Sequence, residues 1–143
     1  AERHHAVRHL LESRAFEGLR EALRRVGDLE RILSRVALRS ARPRDLSTLR
    51  DGLALFPALR EALAPLDSPL LAALLARLGE HAGTSDWLQK AVAPQPPLKL
   101  VDGGVIAEGY DAELDELRVL STNADQFLLD LEARERAATG IAT

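Results

Sequence analysis

The segment from Ala112 to Ala137 constrains the fold most, because it contains neither proline nor glycine and favours one continuous helix. Asp111 stands where an N-cap is expected. Acidic residues fill the first turns, and Arg134 and Arg136 lie in the last turn, so both ends complement the helix dipole. At 1.5 Å per residue this helix would be about 39 Å long. We therefore expect a rod at the C-terminal end of the chain.

Apolar residues recur along this rod at alternating spacings of three and four, as in a coiled coil. We call this set the apolar stripe; its members are Leu114, Leu117, Ala124, Leu128 and Leu131. Ser121 occupies the one position in the spacing that is not apolar, and Leu120 and Phe127 widen the stripe. Such a stripe needs a partner helix. No earlier segment is equally long, so we expect the partner outside this chain. Exposed, the stripe predicts a concentration-dependent dimer, with two rods paired antiparallel.

The remainder of the chain predicts an all-α fold. The whole chain has 143 residues, a length that fits one domain. Of these residues 46% are hydrophobic but only 3% are aromatic, which indicates an aliphatic core. Apolar periodicity predicts shorter helices at about residues 2–12, 14–26, 29–37, 43–56, 58–64 and 69–78, and a short one around Trp87. The predicted architecture is a multi-helix core bundle, a short extended strap rich in proline and glycine, and one long C-terminal helix.

Local signals place the ends of these helices. N-caps are predicted at Ser13, Asp28, Asp67–Ser68 and Thr84 or Ser85. Helix ends are predicted at Gly27 and Gly79. Pro43 suits the first turn of a helix that also holds Asp45, whereas Pro57 is expected to end or kink the same helix.

Prolines and glycines interrupt all regular helix between the core and the rod. We call residues 94–110 the strap, with residues 1–93 as the helical core and 111–143 as the long helix. Gly103-Gly104 permits a tight reversal. Two arrangements fit the pattern equally well: a small hairpin formed by residues 98–107, and an extended strap laid over the core.

Charge and composition bound the functional classes. Residues 1–60 hold 13 arginines against 8 acidic residues, which suggests a nucleic-acid surface, but interleaved acids favour solvated helix faces. No apolar run approaches the roughly 18 residues that a membrane span needs, and no signal peptide is visible. The chain has no cysteine, which suits the cytoplasm, and no methionine, so we expect it to be a piece of a longer protein.

Two candidate ligand sites are outweighed by structural interpretations. His5 and His9 lie one helical turn apart, with Glu12 on a nearby face, but exposed helix histidines explain this spacing better than zinc. Gly103-Gly104 lacks the Gly-Lys-Ser/Thr of a phosphate-binding loop and is interpreted as a turn.

Candidate catalytic residues are explained in the same way. The acidic cluster Asp111, Glu113, Asp115 and Glu116 is accounted for by helix capping and a solvated face. Trp87 and Tyr110 suit packing anchors. No nucleophile elbow or partner histidine accompanies Ser13, Ser34, Ser40 or Ser121. We predict no catalytic, cofactor-binding or metal-binding residue, and hence no enzyme.

Three ordered stretches resemble the MutS family of bacterial DNA mismatch-repair proteins. They are residues 26–46, which read VGDLERILSRVALRSARPRDL; residues 102–118, which read DGGVIAEGYDAELDELR; and residues 123–141, from NADQF through EARER to TGI. Together they cover about half of the chain. Between the first two, the match lies in helical pattern more than in letters.

The resemblance implies the core and lever domain (domain III) of a MutS-like protein. The rod would be the first lever helix, leading to a DNA clamp beyond Thr143, and a second lever helix would return beside it. The family's mismatch reader, clamp and nucleotide loop belong to other domains, so no catalytic or ligand residue carries over to this chain.

The implied role is an allosteric connector between the ATPase end and the clamp. ATP and Mg would belong to the parent protein, and the implied partners are mismatched duplex DNA, a second MutS subunit and other mismatch-repair proteins, with no membrane. The alternative is a free-standing helical adaptor that presents the apolar stripe to a partner.

Overall fold

The chain folds into α-helices. A computed structural model describes residues 2–140, and within that range there are eight: α1 (Glu2–Glu12), α2 (Ala15–Val26), α3 (Leu29–Ala37), α4 (Pro43–Leu53), α5 (Phe56–Leu63), α6 (Pro69–Leu78), α7 (Ala82–Ala91) and α8 (Ala112–Thr139). A short 3-10 turn covers Leu100–Asp102, and the described residues form no strand longer than an isolated bridge. The all-α prediction is confirmed.

The chain divides into two compact units, residues 1–107 and residues 108–143. The first unit holds α1 to α7 and the second holds α8. The finer division at residues 93 and 110 stays a prediction.

An aliphatic core joins the seven short helices of the first unit. Helix α4 packs against α2, α3 and α7, while α5 and α6 pack together and meet α2 and α1. Buried side chains of these helices form one cluster with Leu66 and Val92, which lie just outside them. Its members are Ala6, Leu19, Ile32, Leu49, Leu53, Phe56, Leu59, Leu66, Leu71, Leu88 and Val92. Each helix is too short to be stable alone in water, so burial of its apolar face stabilises it.

Several predicted helix ends are confirmed. The Asp28 side chain accepts a hydrogen bond from the backbone N–H of Arg31, and Gly27 ends α2 at φ 76°. Pro43 begins α4, and the Asp45 carboxylate accepts from the backbone N–H of Arg42 at the same turn. Glycine suits a helix end with positive φ because it has no Cβ to clash.

Three predictions about helix ends were wrong. Arg14, at φ 56°, occupies the N-cap position of α2 that was predicted for Ser13. The Ser13 hydroxyl donates to the carbonyl of His9 at the end of α1 and accepts from the N–H of Ala15, the first residue of α2, at 3.3 Å. Pro57 does not end a helix: α4 stops at Leu53, and Pro57 lies in the first turn of α5, where its missing N–H costs nothing. Thr84 and Ser85 lie inside α7, because that helix begins earlier, after His81.

Gly52 lies where the backbones of α4 and α2 come close together. A Cβ at this position would lie 2.6 Å from the carbonyl oxygen of Val26. The backbone of α4 can approach the end of α2 this closely only because position 52 has no side chain.

Candidate functional site

The strap is fastened to the core at both of its ends. Val92 and Ile106 form an isolated antiparallel bridge. The N–H of Ala93 donates to the carbonyl of Val105, and the N–H of Ala107 donates to that of Ala91, both at 2.9 Å. Residues 94–104 therefore make a loop whose base is closed by backbone hydrogen bonds.

This pairing is not the hairpin within residues 98–107; it ties the strap to the helical core, as in the second arrangement, although the strap is not extended throughout. Leu100–Asp102 form a 3-10 turn, so the extended partner of Val105–Ala107 comes from the end of α7. Gly103 and Gly104 have φ of 71° and 70°, and among residues 2–140 no atom beyond their chain neighbours lies within 4 Å of a Cβ built on either of them. They reverse the chain, as predicted, at an open surface.

Arg50 on α4 holds the start of the strap. Its guanidinium donates to the carbonyls of Val92 at 3.2 Å, Ala93 at 3.0 Å and Pro94 at 3.2 Å. Its Nε donates to Asp51 at 2.8 Å. The residue is only 8% exposed. A buried charge is tolerated when its donors are satisfied, and the planar guanidinium fork reaches three acceptors at once.

Sequence reasoning missed Arg50, although a signal was present. Leu46, Leu49 and Leu53 form the buried face of α4, and Arg50 lies four residues after the first and three before the last. That spacing puts a charged side chain on an apolar face. The sequence did not reveal that the acceptors would be carbonyls more than forty residues away.

The acidic cluster at the N-terminal end of α8 binds backbone N–H groups there. The Asp111 carboxylate accepts from the N–H of Leu114 at 3.0 Å, which confirms the predicted cap. Asp115 accepts from the N–H of Gly109 at 2.7 Å and pairs with Arg118 at 2.7 Å. Two of the four acids therefore bind backbone N–H groups, and the side chains of Glu113 and Glu116 are exposed.

Helix α8 presents its apolar side chains to solvent. At 1.5 Å per residue its 28 residues span about 42 Å, and none of them is buried. Leu117, Leu120, Phe127 and Leu128 are each more than half exposed. The apolar stripe is therefore exposed and could contact a partner helix.

The other residues considered for chemistry have local structural roles. The rings of His5 and His9 lie 4.5 Å apart, and between residues 2 and 140 no group of three or more His, Cys, Asp or Glu side chains could hold a metal ion. The hydroxyls of Ser13, Ser34 and Ser40 donate to backbone carbonyls. Ser121 is exposed on α8.

An ion pair joins α3 to the start of α4. Arg35 donates through its Nε to one oxygen of Asp45 at 2.9 Å and through Nη2 to the other oxygen. Burial raises the pKa of Asp45, but the backbone N–H of Arg42 and the Arg35 guanidinium outweigh it, so the pKa is lowered overall. The pair stabilises a helix junction and offers no proton to a substrate.

Among residues 2–140 no helix is both long enough and apolar enough to cross a membrane. Comparison with protein families matches residues 1–143 to MutS domain III. The match extends over the middle section, which resembled the family in helical pattern more than in letters, and it confirms the resemblance. Domain III is a non-catalytic domain of an ATPase, and this chain belongs to the MutS family of DNA mismatch-repair proteins through that domain.

Proposed function

We propose that this domain is an allosteric connector, which transmits changes between the ATP-hydrolysing end of a MutS-like protein and the part that grips DNA. In this proposal α8 is the lever. The partners are mismatched duplex DNA, bound through other domains, and a second MutS subunit. ATP and Mg bind elsewhere in the parent protein, in the cytoplasm.

The fastened strap is the observation that carries the proposal. A connector transmits displacement only if its path contains few freely rotating residues. Arg50 and the bridge at Val92 and Ile106 tie both ends of the strap to the helical core. The last tie is the hydrogen bond from the N–H of Ala107 to the carbonyl of Ala91, so only residues 108–110 lie between it and Asp111, the N-cap of α8.

Residues 108–110, which link the strap to α8, are also restrained at the end next to α8. The hydrogen bond from Gly109 to Asp115 joins them to the first turns of α8. A movement of α8 would thus reach the core through a short and partly fixed segment. The match with MutS domain III favours this role over a free-standing adaptor.

The proposal excludes chemistry within this domain. The purified chain should neither hydrolyse ATP nor bind mismatched duplex tightly, because no described group of side chains is arranged for either task. Robust turnover by the purified chain, absent from a mock preparation, would contradict this part of the proposal.

The coupling is tested by Arg50→Met in the parent protein. Methionine keeps much of the length and apolar stem but cannot donate to the carbonyls of residues 92–94. We expect ATP hydrolysis and DNA binding to persist when each is measured alone, while the effect of ATP on DNA affinity falls. Substitutions along a coupling path change such effects by about 0.5–2 kcal/mol.

The matched control is Arg44→Met, which removes an exposed arginine from the same helix. Arg50→Lys keeps the charge but loses the fork, and it should show an intermediate loss. Thermal unfolding of each variant separates loss of coupling from loss of fold. If folded Arg50→Met protein keeps the full effect of ATP on DNA affinity, the coupling does not depend on the hydrogen bonds from Arg50 to the carbonyls of residues 92–94.

A further inference from the structure

The first unit contains an open groove that its own helices do not fill. It lies between α1, α2, α5 and α6 and has a volume of about 640 Å³. Two arginines apart, every side chain that lines it is apolar, including Leu10, Phe16, Leu23, Leu63, Leu74 and Leu78. We call it the basic-edged groove.

The apolar wall of this groove is exposed to water. Leu23 is 60% exposed, Leu74 47% and Phe16 37%. These three side chains come from α2 and α6, on different sides of the groove. Contiguous apolar surface of this kind is a feature of contact sites for other polypeptides.

The charged groups beside the groove are two arginines of α2, and Glu17 and Glu21, three residues before them on the same helix, do not line the groove. Arg20 and Arg24 lie one turn apart on α2, and both line the groove. Neither side chain makes a hydrogen bond or ion pair with any residue between 2 and 140. No acidic side chain lines the groove, so the two guanidinium groups favour an occupant with negative charge beside its apolar face.

We propose that the basic-edged groove binds an acidic amphipathic helix, with apolar residues at i, i+3, i+4 and i+7 and carboxylates flanking them. A small-molecule site would need polar groups converging within the cavity, whereas this groove has polar groups only at one edge. The chemistry matches helix-in-groove recognition. In the proposed connector the apolar stripe of α8 faces a second lever helix. The occupant of the groove is therefore a helix other than α8.

The test uses two synthetic helical peptides and the whole 143-residue chain. Both peptides carry leucines at the four anchor positions, and they differ only in having glutamate or lysine at the flanking positions. We expect fluorescence anisotropy to show at least about tenfold tighter binding of the glutamate peptide, the result of two screened charge pairs. The double substitution Arg20→Glu/Arg24→Glu should reverse the preference.

Arg25→Glu is the matched control, because Arg25 is exposed on the same helix but does not line the groove. It should leave the preference for the glutamate peptide unchanged. Circular dichroism checks that each variant keeps its helix content. Equal binding of both peptides, binding of neither, or a preference that survives the double reversal would each overturn the proposal.

Sedimentation tests whether the groove is instead occupied by a second copy of the chain. We expect any self-association of the chain to be unaffected by Arg20→Glu/Arg24→Glu. A dimer abolished by that double substitution would place a second copy's α8 in the groove and overturn the assignment to a separate helix. The inference goes beyond the connector role and does not depend on Arg50, so either can fail without the other.

Discussion

The two units of this chain form helices for different physical reasons. In residues 1–107, helices of 8 to 12 residues are held by a shared aliphatic cluster. In residues 108–143, a single helix of 28 residues has no buried residue. Its stability must come from length, helix-forming composition and end charges instead of packing. Loss of one side-chain contact should therefore destabilise the core more than it destabilises α8.

The largest expected effect separates the two units directly. Leu59 is 3% exposed in the core, whereas Leu128 is 60% exposed on α8. We expect Leu59→Ala to lower the free energy of unfolding by about 2–5 kcal/mol, because it removes buried methyl groups and leaves a cavity. Leu128→Ala should change it by less than about 0.5 kcal/mol. Urea unfolding measures both, and a comparable loss in the two variants would mean that α8 is packed as tightly as the core.

A glycine pair tests how close the packing of the core is. A Cβ at Gly52 would clash with the carbonyl oxygen of Val26, whereas a Cβ at Gly18 would meet no described atom within 4 Å apart from its chain neighbours and the backbone of α2. We expect Gly52→Ala to cost about 1–3 kcal/mol through overpacking. Gly18→Ala should stabilise α2 by about 0.5–1 kcal/mol. Thermal unfolding gives both values, and a tolerated Gly52→Ala would show that the contact between α4 and α2 can relax.

Two equivalent caps provide a finer comparison. The carboxylates of Asp28 and Asp111 each accept from a backbone N–H three residues later at 3.0 Å. Removing either cap with alanine should cost about 1 kcal/mol. In Asp28→Ala the loss should appear in global unfolding, because α3 contributes to the core. In Asp111→Ala it should appear only as local fraying, seen as faster amide hydrogen exchange in the first turn of α8.

The smallest expected effect is a pH dependence confined to the core. The pKa of Asp45 is lowered in the folded protein from its usual 3.8. Its stabilising contribution is therefore complete above about pH 4 and is lost as the pH falls through the folded pKa. We expect less than about 1 kcal/mol, since the ion pair with Arg35 is partly exposed.

Asp45→Asn provides the check on that dependence. Its free energy of unfolding should lie below that of the original chain at pH 7, and the two should converge towards pH 2. A difference that stays constant across this range would assign the effect to packing and not to ionisation.

The sequence predicted α8 more accurately than the core. Its cap at Asp111, its start at Ala112 and its end near Gly140 depend on adjacent residues, so local signals were sufficient. The misplaced ends of α4 and α7 lie where tertiary packing sets the path of the chain. Pro57 illustrates the ambiguity, because proline both ends one helix and suits the first turn of the next.

The strap was the hardest segment to predict. The lack of α-helix in residues 94–110 followed from prolines and glycines, but the segment with which the strap pairs did not. The ends of the strap are fixed by Arg50 and by the bridge at Val92 and Ile106, which join residues far apart in the sequence. No local pattern records which carbonyls will meet a given arginine.

The sequence by itself determined the helical class, the long C-terminal helix and membership of the MutS family. Each of these follows from composition, short-range periodicity or ordered stretches of residues. Only the tertiary structure decided that Arg50 fastens the strap and that the basic-edged groove stays open. Both depend on how separate helices come together, and the burial of aliphatic side chains, which is not directional, leaves such pairings unspecified in any one segment.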